Sequence, residues 1–301
     1  MHPCFFAALQ VLVWCVIINS LSMQFVFKKL IALLWSKHYG KPIVDTVLYA
    51  FGGVVNIYSS FAYVYDKLMY DVNYKEWADY IEKIFEVNNV KPSLILDLGC
   101  GTGSFCLEMD KRGYDMIGID SSADMLSCAK DKSIDRDILY LNQDMTEFEL
   151  YGTVDAIVCL MDSINYLIYK KDIKKVFGLV KNYLNPGGLF IFDINTPYKF
   201  ENILKDNVFY DVTEDICYIW QNFFDRKKRL CEFDLTFFIK DGHCYKRYDE
   251  IHYERCYDIE DLKNMVIGSK MELLNVYDNL KLSSPSQKSQ RVFFVCTKGG
   301  K

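Results

Sequence analysis

Leu94-Ile95-Leu96-Asp97-Leu98-Gly99-Cys100-Gly101-Thr102-Gly103 decides the fold. Its first five residues are a short apolar run of the kind that fills a buried parallel strand. Three glycines then alternate. Glycine reaches φ > 0 and lets backbone approach a ligand without a Cβ in the way. The spacing excludes two nucleotide-binding turns. A dinucleotide fingerprint needs G-x-G-x-x-G, and its third glycine would fall on Ser104 or on Cys106. No G-x-x-x-x-G-K-[ST] occurs either, which excludes a triphosphate P-loop.

Working outward, residues 74–87 place Trp77, Tyr80, Ile81, Ile84 and Phe85 at helical spacing. Downstream, residues 115–119 form a second strand ending at Asp120, and Ser122 caps a helix carrying Met125, Leu126 and Ala129. Residues 138–141 and 154–159 read as strands three and four. A helix over 172–184 stops at Asn185-Pro186-Gly187-Gly188, and residues 189–192 make strand five. Strands alternating with helices predict a doubly wound, mostly parallel sheet. The rhythm then changes. Residues 217–224, 230–239 and 244–253 read as antiparallel strands, with Asp241-Gly242 as a hairpin turn. A helix at 259–266 and strands at 273–277 and 292–296 close the chain. The expected architecture is α/β, a seven-stranded Rossmann-like sheet with an antiparallel β insertion at about 198–256. That insertion is placed to act as a lid, because ligands in open α/β sheets bind outside the carboxyl ends of the strands.

Composition narrows the function. The net charge of −5 over 301 residues argues against a nucleic-acid partner, which would call for a basic face. The 11 cysteines form no C-x-x-C pair and the four histidines lack ligand spacing, so no metal site is expected. Residues 1–27 hold no Asp, Glu, Lys or Arg, and Lys28, Lys29, Lys37 and Lys41 follow. Residues 4–27 are long enough for a membrane anchor that would leave the rest of the chain cytoplasmic; the alternatives are an over-extended reading frame or a hydrophobic helix buried on the domain. The chain is therefore read as a hydrophobic segment and linker over 1–56 and a main domain over 57–301.

Four stretches in order resemble class I S-adenosylmethionine-dependent methyltransferases. Residues 94–105 resemble the family's first motif, Gly118-Ile119-Asp120-Ser121-Ser122 its second strand end, and Asn142-Gln143-Asp144-Met145 its adenine-contacting motif. Leu184-Asn185-Pro186-Gly187-Gly188-Leu189 resembles the turn before strand five. A narrower likeness, to bacterial small-molecule methyltransferases, covers roughly residues 57–298, beginning at Phe61-Ala62-Tyr63-Val64-Tyr65-Asp66. The resemblance implies S-adenosyl-L-methionine as cofactor. Asp97, Gly99, Cys100, Gly101 and Gly103 would hold its methionine part and approach its ribose. Asp120 would accept from the two ribose hydroxyls, with Ser121 beside it, since a carboxylate offers two acceptor oxygens. Asp144 would meet the adenine amino group and Met145 the ring. Tyr65, Met125 and Leu160 complete the expected cofactor set, and Tyr65 and Tyr166 are expected at the entrance.

Methyl transfer asks the protein to orient a nucleophile and exclude water. His252 is the expected base, with Tyr166 and Arg255 beside it and Asp162 and Asn165 near the acceptor. The implied acceptor is a small molecule methylated on nitrogen or oxygen. The rivals are an RNA or protein methyltransferase, for which Lys227-Lys228-Arg229 and Lys246-Arg247 are the only basic clusters in the insertion, and a non-catalytic partner-binding protein on the same fold.

Overall fold

The computed structural model describes Ala62 and residues 65–299, all within the unit Asn56–Lys301. The expected anchor at 4–27 and the segment 1–56 lie outside the described residues. Among those described, no helix is long and apolar enough to cross a membrane.

α1 (Tyr74–Val87) begins where the Asn73 side chain accepts from Glu76 N, and it buries Trp77, Tyr80, Ile81, Ile84 and Phe85. Then follow β1 (Leu94–Leu98), α2 (Ser104–Asp110), β2 (Asp115–Asp120), α3 (Ala123–Lys132), β3 (Leu139–Asn142) and β4 (Val154–Cys159). Ser122 caps α3 by accepting from Met125 N at 3.2 Å. A 3₁₀ turn (Ser163–Tyr166), α4 (Lys170–Tyr183) and β5 (Leu184–Asn195) come next. A short helical segment, Pro197–Lys199, continues as a π turn through Phe200–Leu204. The remaining elements are β6 (Val208–Val212), β7 (Ile216–Asp225), β8 (Leu230–Asp241), β9 (Cys244–Arg255), α5 (Ile259–Gly268), β10 (Glu272–Asp278) and β11 (Arg291–Thr297).

The large sheet has seven strands in the order β3-β2-β1-β4-β5-β11-β10. Its first five strands pair in parallel, and β11 enters antiparallel between β5 and β10. One face packs on Ile173, Val176, Phe177 and Val180 of α4, the other on Trp77, Ile81 and Ile84 of α1. The order of chain travel reverses beside β1, so the carboxyl ends of β1, β2 and β4 open onto one crevice. A second sheet, β6-β7-β8-β9, is fully antiparallel.

Three local readings change. β5 begins at Leu184, not Leu189, and Asn185 to Gly188 form a bulge across which the pairing with β4 jumps from Val154–Leu184 to Ala156–Leu189. The bulge is tied down: Asn185 Nδ2 donates to Asp155 Oδ1, and Thr297 Oγ1 donates to Gly188 O. β5 also runs on to Asn195, so Asp193 lies inside the strand rather than after it. β6 and the π turn are additional. β6 is a five-residue edge strand in which every second residue is exposed, a pattern too short to stand out in sequence.

Candidate active site

Gly99, Gly101 and Gly103 all take left-handed φ, at 77°, 53° and 70°. Gly99 N and Cys100 N both donate to Ile119 O, which pins the turn to β2. A Cβ on Gly103 would stand 2.5 Å from the Tyr140 hydroxyl, and one on Gly99 2.9 Å from Ser163 Oγ. A Cβ on Gly101 would meet nothing within 4 Å. Gly99 and Gly103 are thus required by packing, whereas Gly101 lines open space. The buried Cys100 lies between Gly99 and Gly101, its Sγ in the core.

Asp120 sits below that space at the end of β2. Its Oδ2 accepts from Gly101 N and its Oδ1 from Ser122 N, each at 2.8 Å. Burial raises its carboxyl above the usual value, and these two N–H groups oppose the shift. Asp97 is more enclosed. Burial pushes it up to about 7, against a 3.3 Å hydrogen bond from the Cys106 thiol. Asn142 Nδ2 donates to the carbonyls of Asp120 and the exposed Ser121, locking the ends of β2 and β3 together. Asp144 Oδ1 accepts from Thr146 N at 2.7 Å, closing a turn. Met145 follows Asp144, its methyl 3.4 Å from the point where a Gly99 Cβ would stand. Leu160 is buried directly after β4, and its carbonyl accepts from Ser163 Oγ. Met125 packs with Ala62 and Cys128, with Tyr65 against them. Burial, then Tyr74, Asp162, Asp66 and Asp120 nearby, hold the Tyr65 phenol far above its usual value. Tyr65 is therefore a neutral group within electrostatic reach of both Asp120 and Asp162.

The far side of the crevice is built by the loop after β4 and by β9. Met161 N and Asp162 N donate to the Asp193 carboxylate, and Arg291 of β11 pairs with both Asp162 and Asp193. Burial works against the Asp162 anion, but Arg291, Lys199 and a hydrogen bond from Glu254 hold it below its ordinary value. Glu254 shifts the other way, well upward, through burial and the neighbouring Asp162. Asn165 is buried and bridges the elements, donating to Arg255 O and accepting from Asn195 N. His252 Nε2 and Glu250 Oε2 are 2.8 Å apart, and the Tyr166 ring meets the imidazole edge-on at 5.9 Å.

Arg255 stands elsewhere than expected. Its guanidinium donates to Ile168 O and lies over the Tyr257 ring, fastening β9 to the loop after the 3₁₀ turn rather than facing the other acceptor-side groups. Two groupings escape sequence reasoning. Asp66 accepts from Thr102, Ser104 and Lys132, which ties the chain before α1 to the glycine turn and to α3. Arg291 neutralises Asp162 and Asp193. Its only signal in sequence is one cation at the head of the apolar run Val292-Phe293-Phe294-Val295.

Residues 95–188 match the family model described as a methyltransferase domain. The chain is 37% identical over 244 residues to the putative methyltransferase YqeM of Bacillus subtilis, covering 80% of this chain and 97% of that one. The chain belongs to the class I S-adenosylmethionine-dependent methyltransferases. The crystal structure of an S-adenosylmethionine-dependent methyltransferase from Clostridium acetobutylicum overlays this methyltransferase with TM-score 0.74 at 35% identity, covering 81% of this chain and 99% of that one. A dTDP-3-amino-3,4,6-trideoxy-alpha-D-glucopyranose N,N-dimethyltransferase of Streptomyces venezuelae is 29% identical over 135 residues, 44% of this chain and 54% of that one. The methyltransferase's donor set suits the cofactor: an open concave glycine turn at Gly101, a strand-end carboxylate at Asp120 and an apolar side chain at Met145.

Proposed function

We propose that this methyltransferase acts on a small molecule held between β9 and the loop after β4. One observation carries the reading. Glu250, His252 and Glu254 of β9 face Asp162, Asn165 and Tyr166 at the carboxyl end of β4, in a largely buried polar wall. A largely buried polar wall suits a small acceptor better than a duplex or a protein surface. The dimethyltransferase that resembles part of the chain acts, by its name, on an amino sugar nucleotide, which agrees with this size class.

S-adenosylmethionine, when bound, supplies an electrophilic methyl carbon. The protein's own groups do the rest. The turn from Gly99 through Cys100 and Gly101 to Gly103 shapes the floor, with Asp97 beneath it. Asp120 and Ser121 hold the ribose side, Asp144, Met145 and Leu160 the adenine side, and Met125 and Tyr65 the wall toward the entrance. His252 takes the acceptor's proton, Glu250 orients its imidazole, and Tyr166 packs on its edge. Arg255 acts as a positioning residue that keeps β9 against the loop. The 57–301 stretch constitutes the catalytic domain, and the second sheet serves as its lid.

Calorimetric titration of the full chain with S-adenosylhomocysteine tests the cofactor assignments. Asp120→Ala removes the acceptor of two backbone N–H groups and of the ligand. Hydrogen bonds to a charged group contribute about 1.5–3 kcal/mol each, so affinity falls about 100-fold. Unchanged affinity in Asp120→Ala would remove Asp120 from the cofactor site.

A further inference from the structure

Met161 and Asp162 leave β4 with left-handed φ, at 55° and 56°. Among the described residues they are the one adjacent pair of non-glycine residues with that backbone; Asn89, Lys205, Arg229, Lys270 and Leu280 each stand singly. A Cβ makes this conformation unfavourable, because it crowds the following carbonyl oxygen. Such strain persists only where the surroundings over-determine it, and it gathers at functional sites. Here a single carboxylate meets both residues. Asp193 Oδ1 accepts from Met161 N at 2.7 Å, and Oδ2 from Asp162 N at 3.0 Å. Two successive N–H groups turned to one point make a cradle for an anion, and Asp193 is the anion that fills it. Asp193 is fully buried in β5, and Arg291 reaches it from β11. The guanidinium also bonds Asp162 at 2.6 Å and lies 5.4 Å from the Trp77 ring of α1. The chain leaving β4 is thus clamped from three other elements.

The clamp matters for what comes next in the chain. Three residues of extended backbone would carry Ser163 about 10 Å past Leu160. The left-handed pair folds the chain back instead. Ser163 Oγ donates to Leu160 O at 2.7 Å, and Asn165 N donates to Asp162 O at 2.7 Å. Ser163 then stands against the glycine turn: a Cβ on Gly99 would lie 2.9 Å from Ser163 Oγ and 3.1 Å from its Cβ. Glycine at position 161 would make this bend without strain. Methionine stands there, packed against the core that holds Trp77, Ile95 and Phe293, so the bend depends on the Asp193 carboxylate.

We infer that Asp193 is a positioning residue for the cofactor site: through the N–H groups of Met161 and Asp162 it holds a strained turn that props Gly99 and sets the far wall of the crevice. This rests on the reading of the Gly99 turn as the cofactor's floor. Asp193 acts through backbone, not on the ligand, and that makes its two roles separable. Asparagine keeps the shape and one accepting oxygen, but its amide group faces the other backbone N–H, donor against donor. The same change leaves Asp162 and Arg291 as a balanced pair, so it releases the turn while it relieves the ion cluster.

Calorimetric titration of the full chain with S-adenosylhomocysteine tests this, with circular dichroism to follow the fold. Asp193→Asn raises Kd about tenfold, the scale of one charge-assisted bond. Met161→Gly added to Asp193→Asn recovers most of that affinity, because glycine takes left-handed φ freely. Met161→Ala on the same background does not, since it removes the same side chain and keeps the Cβ. A carboxylate that served only the ion cluster would make glycine and alanine equivalent. Unchanged Kd in Asp193→Asn, or recovery by alanine equal to that by glycine, overturns the inference. If Asp193→Asn does not fold, the same two additions decide: glycine restores fold and binding and alanine does not, and any other pattern overturns the inference. Asp120→Ala separates this from the cofactor reading. Lost affinity there with unchanged affinity in Asp193→Asn removes only the positioning role, whereas unchanged affinity in Asp120→Ala as well removes both.

Discussion

Gly101 and Gly103 have the same backbone hand and opposite surroundings, so one substitution separates shape from fit. In Gly103→Ala the new methyl meets the Tyr140 hydroxyl at 2.5 Å and the Ala129 Cβ at 2.9 Å. Overpacking of this kind costs about 1–3 kcal/mol, and left-handed φ about 1–2 kcal/mol more. Gly101→Ala carries only the backbone cost, because its methyl points into open space. The expected outcome is a Tm lower by roughly 10 °C for Gly103→Ala and by a few degrees for Gly101→Ala. Affinity for S-adenosylhomocysteine shows the contrast from the other side: Gly101→Ala loses it although it stays folded. Thermal melts with calorimetry on both variants check this, and equal affinity in Gly101→Ala and the unaltered protein would mean that the open space is not the ligand's. Asp97 and Asp120 are legible in sequence because each sits in or ends an apolar strand run, where a charge has no structural reason to be. Glu250 is not. Its meaning comes from which oxygen His252 occupies and which face register gives it, and neither is local.

Among the elements, β11 carries the most consequence for the site. It brings Arg291 against two carboxylates from the end of β4 and from β5. Arg291→Met leaves Asp162 and Asp193 buried without their cation. Breaking such a cluster costs about 3–5 kcal/mol, and the Tm falls by roughly 10 °C. Adding Asp193→Asn restores part of that loss by removing one of the stranded charges. If Arg291→Met melts like the unaltered protein, the cluster has no structural role. The sequence shows which segments are strands and helices because their periods differ, and β1, β2 and β4 stand where apolar runs put them. It does not show that β5 starts at Leu184. Pro186 and Gly187 look like a stop, and only the hydrogen bonds from Asn185 and Thr297 turn that stop into a bulge. β6 is hidden for a related reason: an edge strand has one neighbour, so it needs only a weak pattern.

Across the whole molecule, buried carboxyl groups leave a mark on stability against pH. Asp97 is raised to about 7 in the folded protein, while an unfolded chain titrates it near its ordinary value. Between those two values the folded state holds one more proton than the unfolded state. The contribution of Asp97 is therefore complete below the ordinary value and is lost as pH rises through about 7, a total on the order of a few kcal/mol. Asp97→Asn has no proton to lose, so the urea midpoint of the unaltered protein, measured relative to this variant, falls between pH 5 and pH 8. Parallel midpoints would place the Asp97 carboxyl at its ordinary value. The position of β11 also has a kinetic side. The strand joins β5, made about one hundred residues earlier, to β10, and it lies between them. During synthesis the stacked Phe190 and Phe192 of β5 emerge long before Phe294, against which Phe192 packs. The sheet cannot close, nor Asp162 and Asp193 meet their cation, until Arg291 to Thr297 have left the ribosome. Assembly of the crevice is thus a late event in synthesis, and a nascent chain stalled before Arg291 is a client for chaperones and proteases rather than a slow enzyme.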